Sequence, residues 1–147
     1  MGNPFVHVEL HTDDVKAAKK FYRGLFDWKL DDAKLPEGGL YTMIAVGKGT
    51  GGGMMTKHAP QAPSAWLTYV EVADVKKTLA KAQKLGAQII TDFHDLPGMG
   101  ALGVIADPSG ALLGVWQPAK PPPKVKAASS AKAGASRARK PAASRRR

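Results

Sequence analysis

The chain has 147 residues, no cysteine and a formal net charge of +10, and its length suggests one domain with its own hydrophobic core. The lack of cysteine excludes disulfides, thiol catalysis and cysteine-ligated metals, and it is compatible with the reducing cytoplasm that we expect as the location. No window is apolar over the roughly 18 residues that a membrane span needs, and the N-terminus lacks a signal-peptide pattern.

The positive charge is confined to the C-terminal end of the chain. Residues 1–117 contain twelve Lys or Arg and twelve Asp or Glu, whereas residues 118–147 contain ten basic residues and no acid. The second segment has almost no large apolar side chain, so burial could not offset the entropy of ordering it. We therefore predict a folded domain over residues 1–117 and a disordered basic tail over residues 118–147.

Residues 5–11 alternate apolar and polar side chains and predict the first strand. The side chains expected to pack on a helix are Val6, Val8 and Leu10. Those expected to face solvent or a polar cavity are Phe5, His7, Glu9 and His11.

A helix should follow this strand, capped by Thr12 or Asp13. Its buried stripe is predicted at Val15, Ala18, Tyr22 and Leu25. Further strands are predicted at residues 28–30, 40–46 and 54–55.

The second half repeats this order at an offset of 60 residues, with Asp74-Val75 in the place of Asp14-Val15. Asp74 should cap a second helix, and Gly86 stands where a glycine commonly ends one. The buried stripe of this helix is predicted at Val75, Leu79, Ala82 and Leu85. Strands are predicted at residues 66–72, 88–91, 101–106 and 112–116. The segment 93–100 is predicted to be a loop, either a lid over a binding site or a plain connection.

The repeat predicts an α+β fold of two β-α-β-β-β modules, residues 4–57 and 64–117. Within these limits several motifs together resemble the vicinal oxygen chelate superfamily of glyoxalases, bleomycin-resistance proteins and extradiol dioxygenases. They are Asp14-Val-x5-Phe-Tyr22, Gly51-Gly-Gly-Met-Met55, Asp95-Leu-Pro-Gly-Met-Gly100 and Asp107-Pro-Ser-Gly110. The resemblance, which is to the glyoxalase-like branch, implies a cup-shaped mixed sheet with helices outside and a concave binding site. It also implies a homodimer.

The resemblance further implies four metal-ligand positions, on the first and last strand of each module. They fall on His7, on Leu67, on Gly114, and near Gly53 or Met54. Of these only His7 suits the harder ions that such enzymes use. We therefore expect no cofactor, with a divalent metal as the alternative.

A second metal set is suggested by His7, Glu9 and His11 on one strand face. However, His7 and His11 are two same-face steps apart, about 13 Å, which is too far for shared coordination.

Strand alternation and the offset together predict the side chains of a ligand-binding cup. They are His7, Glu9, His11, Met54, Leu67, Tyr69, Glu71 and Trp116. This mixture of aromatic, thioether and a few polar groups suits a small, partly apolar ligand. His7 and Glu9 are the candidate acid–base pair, because histidine titrates near neutrality and burial can tune a carboxylate. A cavity-lining role without chemistry is the alternative for His7, and core packing is the alternative for Met54 and Trp116.

Three functions are compatible with these features. The first is a metal-free small-molecule binding protein, and the second is an enzyme of lyase, isomerase or dioxygenase type that uses His7 and Glu9. The third is a nucleic-acid-associated protein whose tail, residues 119–147, binds phosphates without sequence preference. A merely solubilising extension is the alternative for this tail. The sequence identifies neither the ligand nor the oligomeric state.

Overall fold

The computed structural model describes residues 2–121, in which two segments repeat the same order of elements. The first runs through β1 (Phe5–Thr12), α1 (Val15–Leu25), β2 (Lys29–Lys34), β3 (Leu40–Ala45) and β4 (Gly52–Thr56). The second runs through β5 (Ala65–Glu71), α2 (Val75–Lys84), β6 (Gln88–Leu96), β7 (Gly100–Ala106) and β8 (Leu112–Pro118). The predicted α+β fold of two β-α-β-β-β modules is confirmed. Of the predicted tail, residues 122–147 lie outside the described residues.

The eight strands form one curled sheet in the order β2-β3-β4-β1-β5-β8-β7-β6. The first strands of the two modules, β1 and β5, pair antiparallel at its centre. Each of them also pairs in parallel with the last strand of its own module. The register places Glu9 beside Gly53 and Tyr69 beside Gly114, so the modules present equivalent residue pairs on either side of the central strands.

Each helix begins at an aspartate whose side chain accepts a backbone hydrogen bond. Asp14 accepts from the N–H of Ala17 at 2.9 Å, and Asp74 accepts from that of Lys77 at 3.0 Å. These bonds satisfy donors that a helix N-terminus otherwise leaves unpaired. The prediction for Asp74 is confirmed, whereas α1 is capped by Asp14 and not by either residue before it. Within residues 2–121 neither helix is long and apolar enough to cross a membrane.

Three hydrophobic clusters lie against the sheet. The cluster under α1 is Leu10, Leu30, Ile44 and Met54, and the cluster under α2 is Val72, Val75, Leu79, Ala101 and Val115. The third contains Leu67, Tyr69 and Val104, with Val6, Leu102 and Trp116 packed on it. Val115 of the α2 cluster pairs with Gly103, and Val104 is the next residue along β7. Because neighbouring residues of a strand face opposite sides of the sheet, the third cluster lies on the face away from the helices.

The helix stripes end one turn earlier than predicted. Leu25 is 56% exposed and Leu85 is 70% exposed, so neither is buried as expected. Leu25 is the last residue of α1, and Leu85 is the C-cap residue that follows α2, so both lie at helix ends.

Two further expectations about the strands are wrong. A register shift between Phe5 and His7 breaks the alternation of β1, so Val6 packs with the cavity-side cluster and not under a helix. The loop predicted at residues 93–100 is mostly strand, because β6 continues to pair with β7 up to Leu96 opposite Gly100.

Candidate functional site

The concave face of the sheet holds a cavity of about 240 Å³. Its polar lining residues are His7, Glu9, Tyr41, Tyr69 and Glu71, and its apolar ones are Val6, Leu96, Leu102 and Trp116. The volume is slightly below the roughly 300–1,000 Å³ of sites that bury a drug-sized molecule. The cavity is therefore suited to a smaller ligand.

The structure brings five of the eight predicted residues to this cavity, namely His7, Glu9, Tyr69, Glu71 and Trp116. His11 lies behind them, in contact with Glu9 and not among the lining residues. Leu67 is beside Glu9 in register and is buried against Tyr69. Met54 is fully buried under α1, on the other face, because it is the neighbouring Gly53 that points toward the cavity side.

The sequence analysis missed four lining residues, namely Val6, Tyr41, Leu96 and Leu102. Of these, Tyr41 of β3 takes part in the hydrogen bonds to Glu9. The repeat contained a signal for it, because Tyr41 and Leu102 are separated by the same 61 residues (102 − 41) as Gly53 and Gly114 (114 − 53). Both Tyr41 and Leu102 line the cavity from the third strand of their module. Extending the offset to the third strands would have paired Tyr41 with Leu102 as equivalent positions, but the sequence analysis had assigned neither residue to the site.

The carboxylate of Glu9 is the centre of a hydrogen-bonded network in the cavity wall. Its Oε1 accepts from His11 Nε2 at 2.6 Å and from the Tyr69 hydroxyl at 3.1 Å. Its Oε2 accepts from the Tyr41 hydroxyl at 2.7 Å. Glu9 is only 8% exposed, and these three donors satisfy the buried carboxylate. Within residues 2–121 no buried side-chain polar atom lacks a partner.

Opposing effects act on the pKa values of this network. Burial alone would raise the pKa of Glu9, but hydrogen bonds from His11 and Tyr41, with the electrostatic attraction of His11 and His7, hold it below its usual value. Burial and the Glu9 charge raise the pKa values of Tyr41 and Tyr69. Near neutral pH Glu9 is therefore a carboxylate, and both tyrosines remain protonated donors.

His7 is joined to Glu9 through Tyr41. Its Nε2 lies 2.6 Å from the Tyr41 oxygen and 3.9 Å from Glu9 Oε2. Because the single Tyr41 proton is donated to Glu9, the tyrosine oxygen accepts from the N–H at Nε2 of His7. This donor count leaves a lone pair on Nδ1. Burial lowers the pKa of His7 more than the Glu9 charge raises it, so the ring is neutral at pH 7.

The two histidines that were expected to be too far apart to share an ion are linked by the carboxylate between them. His11 contacts Oε1 of Glu9, and His7 approaches Oε2 of the same group. The three side chains on this strand face are therefore part of one hydrogen-bonded network.

Two glycines allow the tyrosines of this network to lie close to the sheet. A Cβ on Gly53 would lie 2.1 Å from the hydroxyl oxygen of Tyr41. A Cβ on Gly114 would lie 2.4 Å from Cδ1 of Tyr69. Real side chains do not approach this closely, so each tyrosine occupies space that any other residue beneath it would need.

We expect acidification below about pH 6.5 to destabilise the protein through His7. The folded pKa of His7 lies below its usual 6.5, so the unfolded chain takes up more protons in this window and stability falls as the pH falls. Glu9, whose folded pKa lies below 4.5, adds a second loss as the pH falls from that value through the folded pKa.

Urea unfolding of the wild type and of His7→Asn between pH 5 and 8 measures the first effect. The free energy of unfolding of the variant should depend less on pH below 6.5, the usual histidine pKa. Equal slopes of unfolding free energy against pH for the two proteins would contradict the assignment of this effect to His7. The exposed His94, changed to Asn, controls for the loss of an imidazole.

A family model described as Glyoxalase/Bleomycin resistance protein/Dioxygenase superfamily matches residues 5–115. The chain therefore belongs to this superfamily, in agreement with the resemblance of its motifs.

Among curated proteins, the chain is similar to "Putative glyoxylase CFP32" of Mycobacterium bovis and of Mycobacterium tuberculosis. Each is 37% identical over 114 residues, which cover 75% of this chain and 44% of the relative. "Anthracycline biosynthesis protein DauV" of Streptomyces sp. (strain C5) is 29% identical over 123 residues, or 74% and 45% of the two chains. The chain thus spans less than half the length of these curated relatives.

Solved structures share the fold at low sequence identity. Hypothetical protein BH1468 from Bacillus halodurans C-125 superposes with a TM-score of 0.63 and 14% identity, covering 83% of this chain and 99% of the other. Methylmalonyl-CoA epimerase from Mycobacterium tuberculosis gives a TM-score of 0.60 and 17% identity, covering 84% and 91%. At such identities the likeness establishes the fold alone.

The residues at the four expected metal positions do not fit a divalent ion. The register identifies the fourth position as Gly53, since it lies beside Glu9 as Gly114 lies beside Tyr69. Neither glycine nor Leu67 offers a ligand atom, which leaves His7 alone. Residues 2–121 also contain no group of three or more His, Cys, Asp or Glu side chains arranged to hold a metal.

Proposed function

We propose that the protein binds a small, partly apolar molecule in the concave cavity without a resident metal ion. The observation that carries this proposal is the packing of Tyr41 over Gly53 and of Tyr69 over Gly114. At both glycines the resemblance would place a ligating side chain, and in both cases a tyrosine ring fills the space instead. The hydroxyl groups of these two tyrosines make hydrogen bonds at the same positions, in the wall of the cavity.

The state of Glu9 supports the metal-free proposal. Both of its oxygens already accept hydrogen bonds, from two tyrosines and from His11. An ion that displaced one of these bonds to use this carboxylate would leave a buried donor unpaired, at a cost of about 1–3 kcal/mol.

The mixture of polar and apolar side chains in the lining supports a small-molecule ligand. His7 and Tyr41 offer polar atoms that can orient a ligand, and Leu96, Leu102 and Trp116 offer apolar surface for its body. The names of the curated relatives, a glyoxylase and an anthracycline biosynthesis protein, also point to small-molecule chemistry. Because the chain covers less than half of those proteins, their activities are not transferred to it.

A second function, metal-independent proton transfer, is favoured by the chain of hydrogen bonds from His7 through Tyr41 to Glu9. A neutral His7 can accept a proton at Nδ1, and the imidazolium that forms is stabilised through Tyr41 by the Glu9 charge. Such a base suits a lyase or an isomerase. The sequence analysis expected a lyase, an isomerase or a dioxygenase. A lyase or an isomerase can use such a base without the divalent ion that the residues do not fit.

The proposal is tested by screening a metabolite pool for compounds that raise the melting temperature, followed by calorimetric titration. A compound bound in the cavity should bind His7→Ala about three- to tenfold more weakly, which is the worth of one hydrogen bond. His94→Ala, at an exposed histidine outside the cavity, should keep the wild-type affinity. Compounds that bind both variants equally, and bind outside the cavity, would contradict the proposal. Turnover that is lost in His7→Ala would favour the enzyme.

The homodimer, the cytoplasmic location and nucleic-acid binding by residues 119–147 stay predictions. Nine of the ten basic residues of the tail lie in residues 122–147, outside the described part of the chain.

A further inference from the structure

The charged side chains that line the cavity are all acidic. Its nine lining residues include two carboxylates, Glu9 and Glu71, and neither lysine nor arginine. The one basic lining side chain is His7, which burial keeps neutral. A cation that enters this cavity is therefore attracted, and an anion is repelled, with less screening than at an open surface.

The two carboxylates are not equivalent. Glu9 already accepts hydrogen bonds from the three donors of its network. Glu71 is half-buried, and within residues 2–121 its carboxylate takes part in no ion pair or hydrogen bond. A ligand can therefore pair with Glu71 without displacing an existing partner.

An aromatic ring lies beside the free carboxylate. The parallel register of β5 and β8 places Trp116 next to Glu71, and both line the cavity. The indole is held against the backbone of β7, since a Cβ on Gly100 would lie 2.8 Å from its Cζ2. A carboxylate next to a fixed indole offers a cation two attractions at once, an ion pair and a cation–π contact.

The remaining lining residues define the rest of the ligand. Val6, Leu96 and Leu102 add apolar surface, and the volume of about 240 Å³ limits the size of the molecule. Building on the proposed small-molecule function, we infer that the cavity selects compact molecules with an apolar or aromatic body and a protonated amine. The amine binds between Glu71 and Trp116, and Glu71 determines the specificity for it.

Three probes of nearly equal size and different charge test this inference on the full chain: 2-phenylethylamine, 2-phenylethanol and phenylacetate. Titrations followed by ¹H–¹⁵N spectra give the affinities, and the indole N–H signals show where each probe binds. The amine should bind about fivefold or more tightly than the alcohol, as an ion pair worth about 1 kcal/mol requires. Phenylacetate should bind most weakly. The Trp116 indole signal should shift more than those of Trp28 and Trp66, which lie outside the cavity.

Glu71→Gln should abolish the preference for the amine, so that the amine and the alcohol bind the variant with equal affinity. Glu37→Gln is the matched control, because it removes the same charge from an exposed turn outside the cavity. If the amine and the alcohol bind the wild type equally, or if the preference survives in Glu71→Gln, the inference is wrong while cavity binding stands. If none of the probes shifts the Trp116 signal at millimolar concentration, the result counts against the proposed function, and the inference fails with it.

Discussion

Replacing Gly53 with alanine should displace Tyr41 and lower the free energy of unfolding by about 1–3 kcal/mol, the usual cost of overpacking. The added Cβ would lie 2.1 Å from the tyrosine oxygen and 2.2 Å from Cζ, so the whole ring must move. Moving it breaks the bonds of its hydroxyl to Glu9 and to His7. The loss is therefore one of packing and of hydrogen bonding together.

Urea unfolding of the wild type and the variant measures this loss, and a double-mutant cycle assigns it to the tyrosine. In a Tyr41→Ala background the ring is absent, so Gly53→Ala should cost little. Gly24→Ala is the matched control. Gly24 lies in α1 with no atom within 4 Å of its added Cβ, and there alanine should stabilise by about 0.5–1 kcal/mol. A Gly53→Ala variant as stable as the wild type would show that Tyr41 does not need this space.

Replacing Glu9 with leucine should destabilise the protein by about 3 kcal/mol or more, since each buried group left without a partner costs about 1–3 kcal/mol. The substitution puts an apolar side chain of similar size into the wall and removes the acceptor of Tyr41, Tyr69 and His11. The tyrosines would then lose the bonds that hold them over the two glycines.

The matched control for this experiment is Glu71→Leu. Glu71 lines the same cavity on the adjacent strand but has no side-chain partner within residues 2–121, so its replacement should change stability by no more than about 0.5 kcal/mol. Similar losses in the two variants, measured by urea unfolding at pH 7.5, would mean that burial alone and not the network sets the value.

The architecture could be read from the sequence because local and long-range signals agreed. The 60-residue repeat set the order of elements, and Asp74 marked the start of α2. The cap of α1 was predicted at Thr12 or Asp13, although Asp14 is the equivalent of Asp74 in the repeat. The alternation of β1 placed His7 and Glu9 together on one face. These are properties of single segments, and period-2 and period-3.6 patterns report them directly.

The rest of the site depends on contacts between segments, which no single pattern contains. The shift in register before His7 is a property of the β1–β5 pairing and cannot be recognised from the sequence of β1 alone. An uncertainty of one residue at Gly53 or Met54 decides which face a side chain takes, because strand alternation has a period of two. The role of Gly53 becomes visible only when Tyr41, from another strand, is seen to lie on it.

The most direct test of the account is the metal content of the purified, untagged full chain. The chain should be dialysed against Ni²⁺, Zn²⁺, Mn²⁺ and Fe²⁺ in turn, and its bound metal counted by native mass spectrometry. With tyrosines over Gly53 and Gly114 and with Glu9 already accepting three hydrogen bonds, we predict that none of the four ions is retained stoichiometrically or raises the melting temperature. One tightly held ion per chain, lost in His7→Ala, would contradict the account.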